Sequence, residues 1–81
     1  MTAQQKKLWR VIRIPPQKWR QKPWGNKSKG FWVVAIYGNK VIWYNDIEEG
    51  FNRSSYKKFG EIVEYHCNQD ELAWTLQYIL D

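Results

Sequence analysis

The chain has 81 residues, enough for one small domain, 1–81. Aromatic residues make up 17 % of it and Trp alone occurs six times, which excludes a disordered chain, while the single cysteine, Cys67, excludes a disulfide framework. The net charge of +5 conceals a division: residues 1–45 carry ten Lys or Arg and no acid, for +10, whereas residues 46–81 carry three basic residues and all eight acids, for −5.

No apolar run approaches the roughly 20 residues needed to cross a bilayer. Lys6, Lys7, Arg10 and Arg13 interrupt the first apolar residues too often for a signal-peptide core. A cytoplasmic protein without a membrane span is therefore expected.

Taken in chain order, Lys7 to Ile14 alternates loosely, with Leu8, Ile12 and Ile14 on one side and Trp9 and Val11 on the other. That pattern predicts a strand. Pro15 and Pro16 cannot donate ladder hydrogen bonds, so the strand is expected to stop there. A basic loop containing Pro, Gly and Trp is expected over 15–30.

Phe31 to Tyr37 is almost continuously apolar, and Lys40 to Tyr44 follows Gly38-Asn39. Gly in the first turn position suits a two-residue type II′ hairpin. A regular register through that turn puts Trp32, Val34, Ile36, Val41 and Trp43 on one face. Phe31, Val33, Ala35, Tyr37, Ile42 and Tyr44 then share the other. Both faces are apolar, so either both are covered or one is a binding surface.

Asn45 to Ser55 is polar and reads as a loop anchored by Ile47 and Phe51. A further strand is expected within Tyr56–His66, best over Glu61–Tyr65, with Gly60 marking a bulge. A C-terminal helix follows, with Asn68 as N-cap, Glu71 closing a capping box, and Cys67 and Leu72 placed as a hydrophobic staple. Leu72, Ala73, Leu76, Ile79 and Leu80 form its apolar stripe, leaving Trp74 and Tyr78 as an outward aromatic pair. The fold class predicted is α+β: a small antiparallel sheet of three to five strands with a central hairpin at 31–44, packed against one C-terminal helix. No internal repeat is visible.

Catalytic patterns are missing. The one histidine, His66, and the one cysteine, Cys67, are neighbours and would point to opposite faces of a strand. Asp46, Glu48 and Glu49 lack EF-hand spacing, one His with one Cys does not complete a zinc site, and no phosphate-binding or nucleophile-elbow motif occurs. The chain is expected to bind rather than catalyse, with no cofactor and no metal.

The basic half interleaves cations with flat rings. Phosphates require Lys or Arg, and unpaired bases require stacking platforms. This points to RNA or single-stranded DNA bound with low sequence specificity. Arg10, Arg13, Lys18, Arg20, Lys22, Lys27 and Lys29 would contact phosphate, and Trp19 and Trp24 would stack. Sheet faces with aromatics read bases in several RNA modules, which adds Phe31, Tyr37 and Tyr44 beside Lys40. The competing assignment for Trp9, Trp19 and Trp24 is that they fold over the hairpin and complete the core. The alternative function is a protein-interaction or regulatory module, a partner or a homodimer docking on Trp74 and Tyr78, since such rings dominate interface hot spots. A Trp- and Lys/Arg-rich stretch also suits an anionic lipid surface, a weaker fit for a chain with a folded hairpin.

Overall fold

The computed structural model describes residues 1–20, 30–62 and 70–81. In chain order the elements are helix α1 (Ala3–Ile12), strands β1 (Arg13–Trp19), β2 (Phe31–Tyr37), β3 (Lys40–Asn45) and β4 (Gly50–Ser55), and helix α2 (Leu72–Leu80). The strands form one antiparallel sheet in the order β1-β2-β3-β4. The protein is α+β, a small open sheet with a C-terminal helix and, in addition, an N-terminal one.

That first helix replaces the strand expected over Lys7–Ile14. Thr2 caps it: the Thr2 hydroxyl accepts from the Gln5 amide at 3.1 Å, and the Thr2 amide donates to Gln5 Oε1 at 2.8 Å. This reciprocal capping box satisfies two of the donors that a helix start leaves open. Gln5, Leu8, Trp9 and Ile12 then fall on one face at helical spacing and pack inward, while Val11 points out.

Pro15 and Pro16 do not end a strand. They lie inside β1, which forms an edge of the four-stranded sheet, where a missing donor is tolerated. Arg13 pairs with Ala35 and Gln17 with Val33, so four steps of β1 oppose two of β2, and the irregularity absorbs both prolines. The expected loop 15–30 thus loses its first five residues to β1, and 21–29 lie outside the described residues.

The hairpin turns at Gly38-Asn39 as expected, with Gly38 at φ +56°. Its first three pairs, Tyr37–Lys40, Ile36–Val41 and Ala35–Ile42, hold the regular register. Beyond them β2 bulges at Val34, so that Val33 faces Trp43 and Trp32 faces Tyr44. One extra residue exchanges the faces of everything N-terminal to it. Phe31 and Val33 join Val41 and Trp43, and Trp32 joins Tyr44, the reverse of the regular assignment.

Both faces of the sheet carry a buried cluster, and among the described residues the helix-side face stays open only around Trp32, toward β1. On one, Trp19, Phe31, Val33, Val41, Trp43 and Ile62 form a buried cluster, with Tyr56 packed against it. The Trp19 ring meets Tyr56 edge-on at 5.2 Å and Phe59 at 4.8 Å. Backbone bonds hold the covering segment at both ends: Tyr56 N–H to the Asn39 carbonyl, and Arg20 N–H to the Gly60 carbonyl. On the other face Ile12, Ala35, Ile42 and Leu76 are buried, which seats both helices against the sheet.

The polar stretch Asn45–Ser55, expected as a loop, ends in a strand. Asn45 Oδ1 accepts from the amides of Ile47 and Glu48, closing a turn over 46–49. In β4, Gly50, Asn52 and Ser54 point inward and Phe51, Arg53 and Ser55 alternate with them. The buried polar groups have partners: Trp43 Nε1 donates to Ser54 Oγ at 2.9 Å.

Gly60 does not form a bulge but sits in a turn with φ +91°. Of the strand expected over Glu61–Tyr65, Glu61 forms an isolated bridge with Arg20, and 63–65 lie outside the described residues. His66, Cys67 and Asn68 do as well. Helix α2 starts later than the expected capping box requires: Glu71 is its N-cap and makes no side-chain capping bond.

Gly30 has φ +99°, and a Cβ there would collide with the Trp19 carbonyl oxygen. Gly38 has a positive φ but open space around it. Gly30→Ala should therefore lower stability by about 2 kcal/mol or more, and clearly more than Gly38→Ala. Urea denaturation of the two variants checks this.

Candidate nucleic-acid interface

The site is built on a cross-strand row. Lys18 of β1 pairs with Trp32 of β2, Trp32 with Tyr44 of β3, and Tyr44 with Phe51 of β4. All four stand on the helix-side face. Lys18 Nζ lies 5.0 Å from the Trp32 ring centroid, within cation–π range. Tyr44 and Phe51 meet edge-on at 5.2 Å. Trp32 is 44 % exposed, and Tyr44 and Phe51 are half-buried. Exposure thus increases along the row from β4 toward β1.

Of the sequence-predicted cations, Lys18 and Arg20 lie at the open end of this row, while Arg13 sits across from Ala35, three residues along β2 from Trp32. Arg10 is in the last turn of α1, Arg13 opens β1, Lys18 is near its end and Arg20 follows it; all four are exposed. Lys18 and Arg20 are two residues apart in extended backbone and so project to the same side. Lys22, Trp24, Lys27 and Lys29 lie outside the described residues.

Trp19 is not a stacking platform. It is 1 % exposed, its ring is enclosed by Tyr56 and Phe59, and its indole N–H donates to Gln17 Oε1 at 3.3 Å. The core assignment weighed for it is the one observed, because β1 continues past the prolines and turns residue 19 inward. Phe31 is likewise removed from the aromatic face, at 1 % exposure. Trp32 replaces it there and was missed. Every residue of Phe31–Tyr37 is apolar, so hydrophobic patterning does not distinguish a bulged strand from a regular one.

Trp74 and Tyr78 are four residues apart on α2 and are 63 % and 60 % exposed. With Gln77 and Asp81 they line a shallow notch of about 180 Å³. The Arg53 guanidinium lies 5.1 Å from the Tyr78 ring centroid. This surface is separate from the Lys18–Trp32 row.

Among the described residues no group of three or more His, Cys, Asp or Glu side chains converges on a metal-sized site. Among the same residues no helix is long and apolar enough to cross a membrane. No protein-family model matches the chain, and neither does any curated protein or solved structure.

The two tryptophans, assigned opposite fates here, should respond oppositely to truncation. Trp19→Ala removes a core ring and should destabilise the fold by about 3–5 kcal/mol. Trp32→Ala, at a ring that is 44 % exposed, should cost clearly less, about 1–2 kcal/mol. Denaturant midpoints of the two variants, followed by far-ultraviolet circular dichroism, measure the difference.

Proposed function

We propose that the protein is a non-enzymatic nucleic-acid-binding module that takes RNA or single-stranded DNA with little sequence specificity. The observation that carries this reading is Trp32, an exposed ring with Lys18 across it, beside an edge strand whose exposed charges are all positive. A base stacks on Trp32, Lys18 and Arg20 neutralise the phosphates flanking it, and Arg13 and Arg10 take phosphates further along the strand. Stacking tolerates any base because every base has a π-face, so affinity comes without a code. Lys22, Trp24, Lys27 and Lys29 continue the basic run in sequence directly from Arg20, and the reading extends the binding track along them.

Titration of the full chain with short oligo(U) RNA and oligo(dT), followed by tryptophan fluorescence, tests this. Saturable quenching that weakens steeply with salt is the expected result. Trp32→Ala should reduce affinity by about 5- to 150-fold, the effect of losing one stacked base, and leave the salt slope unchanged. Replacing Lys18 and Arg20 together by Ala should flatten the slope by about 1.4, or 0.7 per phosphate contact on a single strand. Absence of saturable quenching at low salt, or wild-type affinity in Trp32→Ala, would overturn the assignment.

A further inference from the structure

Four of the eight large apolar side chains exposed among the described residues sit on the two helices: Val11 on α1, and Trp74, Tyr78 and Leu80 on α2. Val11 is 77 % exposed although it lies one residue from the buried Ile12. The helices are neighbours, joined by a hydrogen bond from Gln5 Nε2 to Gln77 Oε1 at 2.9 Å. Between them runs an open groove of about 450 Å³, lined among others by Lys7, Leu8, Val11, Leu80 and Asp81. The notch of Trp74 and Tyr78 adjoins it, since Gln77 and Asp81 line both. Exposed apolar surface gathered in this way, rather than scattered singly, marks an interaction site.

The charges indicate what covers it. Helix α1 carries Lys6, Lys7 and Arg10 and no acid, whereas α2 and its flanks carry Asp70, Glu71 and Asp81 and no base. The patch therefore has a basic helix on one side of an apolar groove and an acidic helix end on the other. A two-fold rotation about an axis along the groove sets each basic helix against the Asp81 end of α2 of the other copy. Such a patch is complementary to itself, as a closed two-fold contact requires.

We propose that this face is the interface of a homodimer, in which α1 of one copy packs against α2 of the other. The apolar centre, Val11 and Leu80, is buried by the partner copy's own groove. Trp74 and Tyr78 close its flank, and Lys7 of each copy meets Asp81 of the other. Helices of ten and nine residues, about 15 Å long, supply less than the roughly 800 Å² per copy of a standard interface. The contact is therefore at the small end for a stable dimer, and its Lys7–Asp81 pairs weaken with salt. Lys18 and Trp32 do not line this groove, and Arg10 of α1 is the one residue that both readings use.

Sedimentation equilibrium of the full chain, without nucleic acid, tests it. Wild-type protein should pass from the 9.9 kDa monomer to a species of about twice that mass, with no larger product. Val11→Asp, at an exposed position that leaves the fold intact by circular dichroism, should weaken association about ten-fold or more. Lys7→Glu and Asp81→Lys should each do the same. An equimolar mixture of these two single variants should form a heterodimer, because each restores the other's charge pairs. A wild-type chain that stays monomeric at low salt would overturn the proposal. So would a mass that keeps rising with concentration, or a dimer that Val11→Asp leaves intact.

Discussion

Between Ala35 and Val33, strand β2 carries one residue more than β3 sets opposite it. That single bulge at Val34 decides which aromatic rings of this chain are core and which are surface. With it, Phe31 packs at 4.8 Å against Trp43, and Trp32 emerges beside Lys18 and Tyr44. Without it, Phe31 and Trp32 would exchange places. The buried cluster around Trp43 depends on the first arrangement, since Trp19 pairs directly with Phe31 and follows it inward. The irregularity in β1 over its two prolines lies opposite the same bulged stretch. Both deviations therefore fall at one place, where they adjust the edge strand to its displaced neighbour.

The parts of this fold governed by local chemistry were legible in the sequence. Gly38-Asn39 specified the hairpin turn, and the helical spacing of Leu72, Leu76 and Ile79 specified which side of α2 packs inward, leaving Trp74 and Tyr78 outside; Leu80, expected on the same stripe, is instead exposed in the last turn. Leu8 to Ile12 was ambiguous because a short apolar run fits both the alternating and the helical period. Thr2 and Gln5, upstream of the apolar run, resolve it through a capping box. Strand β4 was hidden because its inward residues are Asn52 and Ser54, whose burial depends on partners that only the folded sheet supplies, Trp43 for Ser54 among them. The bulge left no trace, because Phe31–Tyr37 is apolar on both faces and hydrophobic burial favours either register.

The same reasoning explains the uneven fate of the expected binding residues. The exposed cations of α1 and β1 are where an acid-free sequence has to leave them: Arg and Lys are rarely buried unpaired. Tryptophans carry no such constraint. Trp19 and Trp43 bury their rings and give their indole N–H groups to Gln17 and Ser54, as buried indoles generally require. Trp32 has a cation on its face and part of its ring in water. Composition identified a chain rich in platforms for bases, but the register of one strand decides which ring is open. Of the two charge poles read in sequence, Lys7 from the basic one and Asp81 from the acidic one line the same groove.

The placement of the aromatic rings depends most directly on the bulge, and cross-strand nuclear Overhauser effects between the backbones of β2 and β3 report it without mutation. The bulged register predicts contacts linking Ala35 to Ile42, Val33 to Trp43 and Trp32 to Tyr44. An unbroken ladder, with Val34 opposite Trp43 and Val33 opposite Tyr44, would contradict it. That result would put the Trp32 ring into the core and remove the stacking platform on which the functional reading rests.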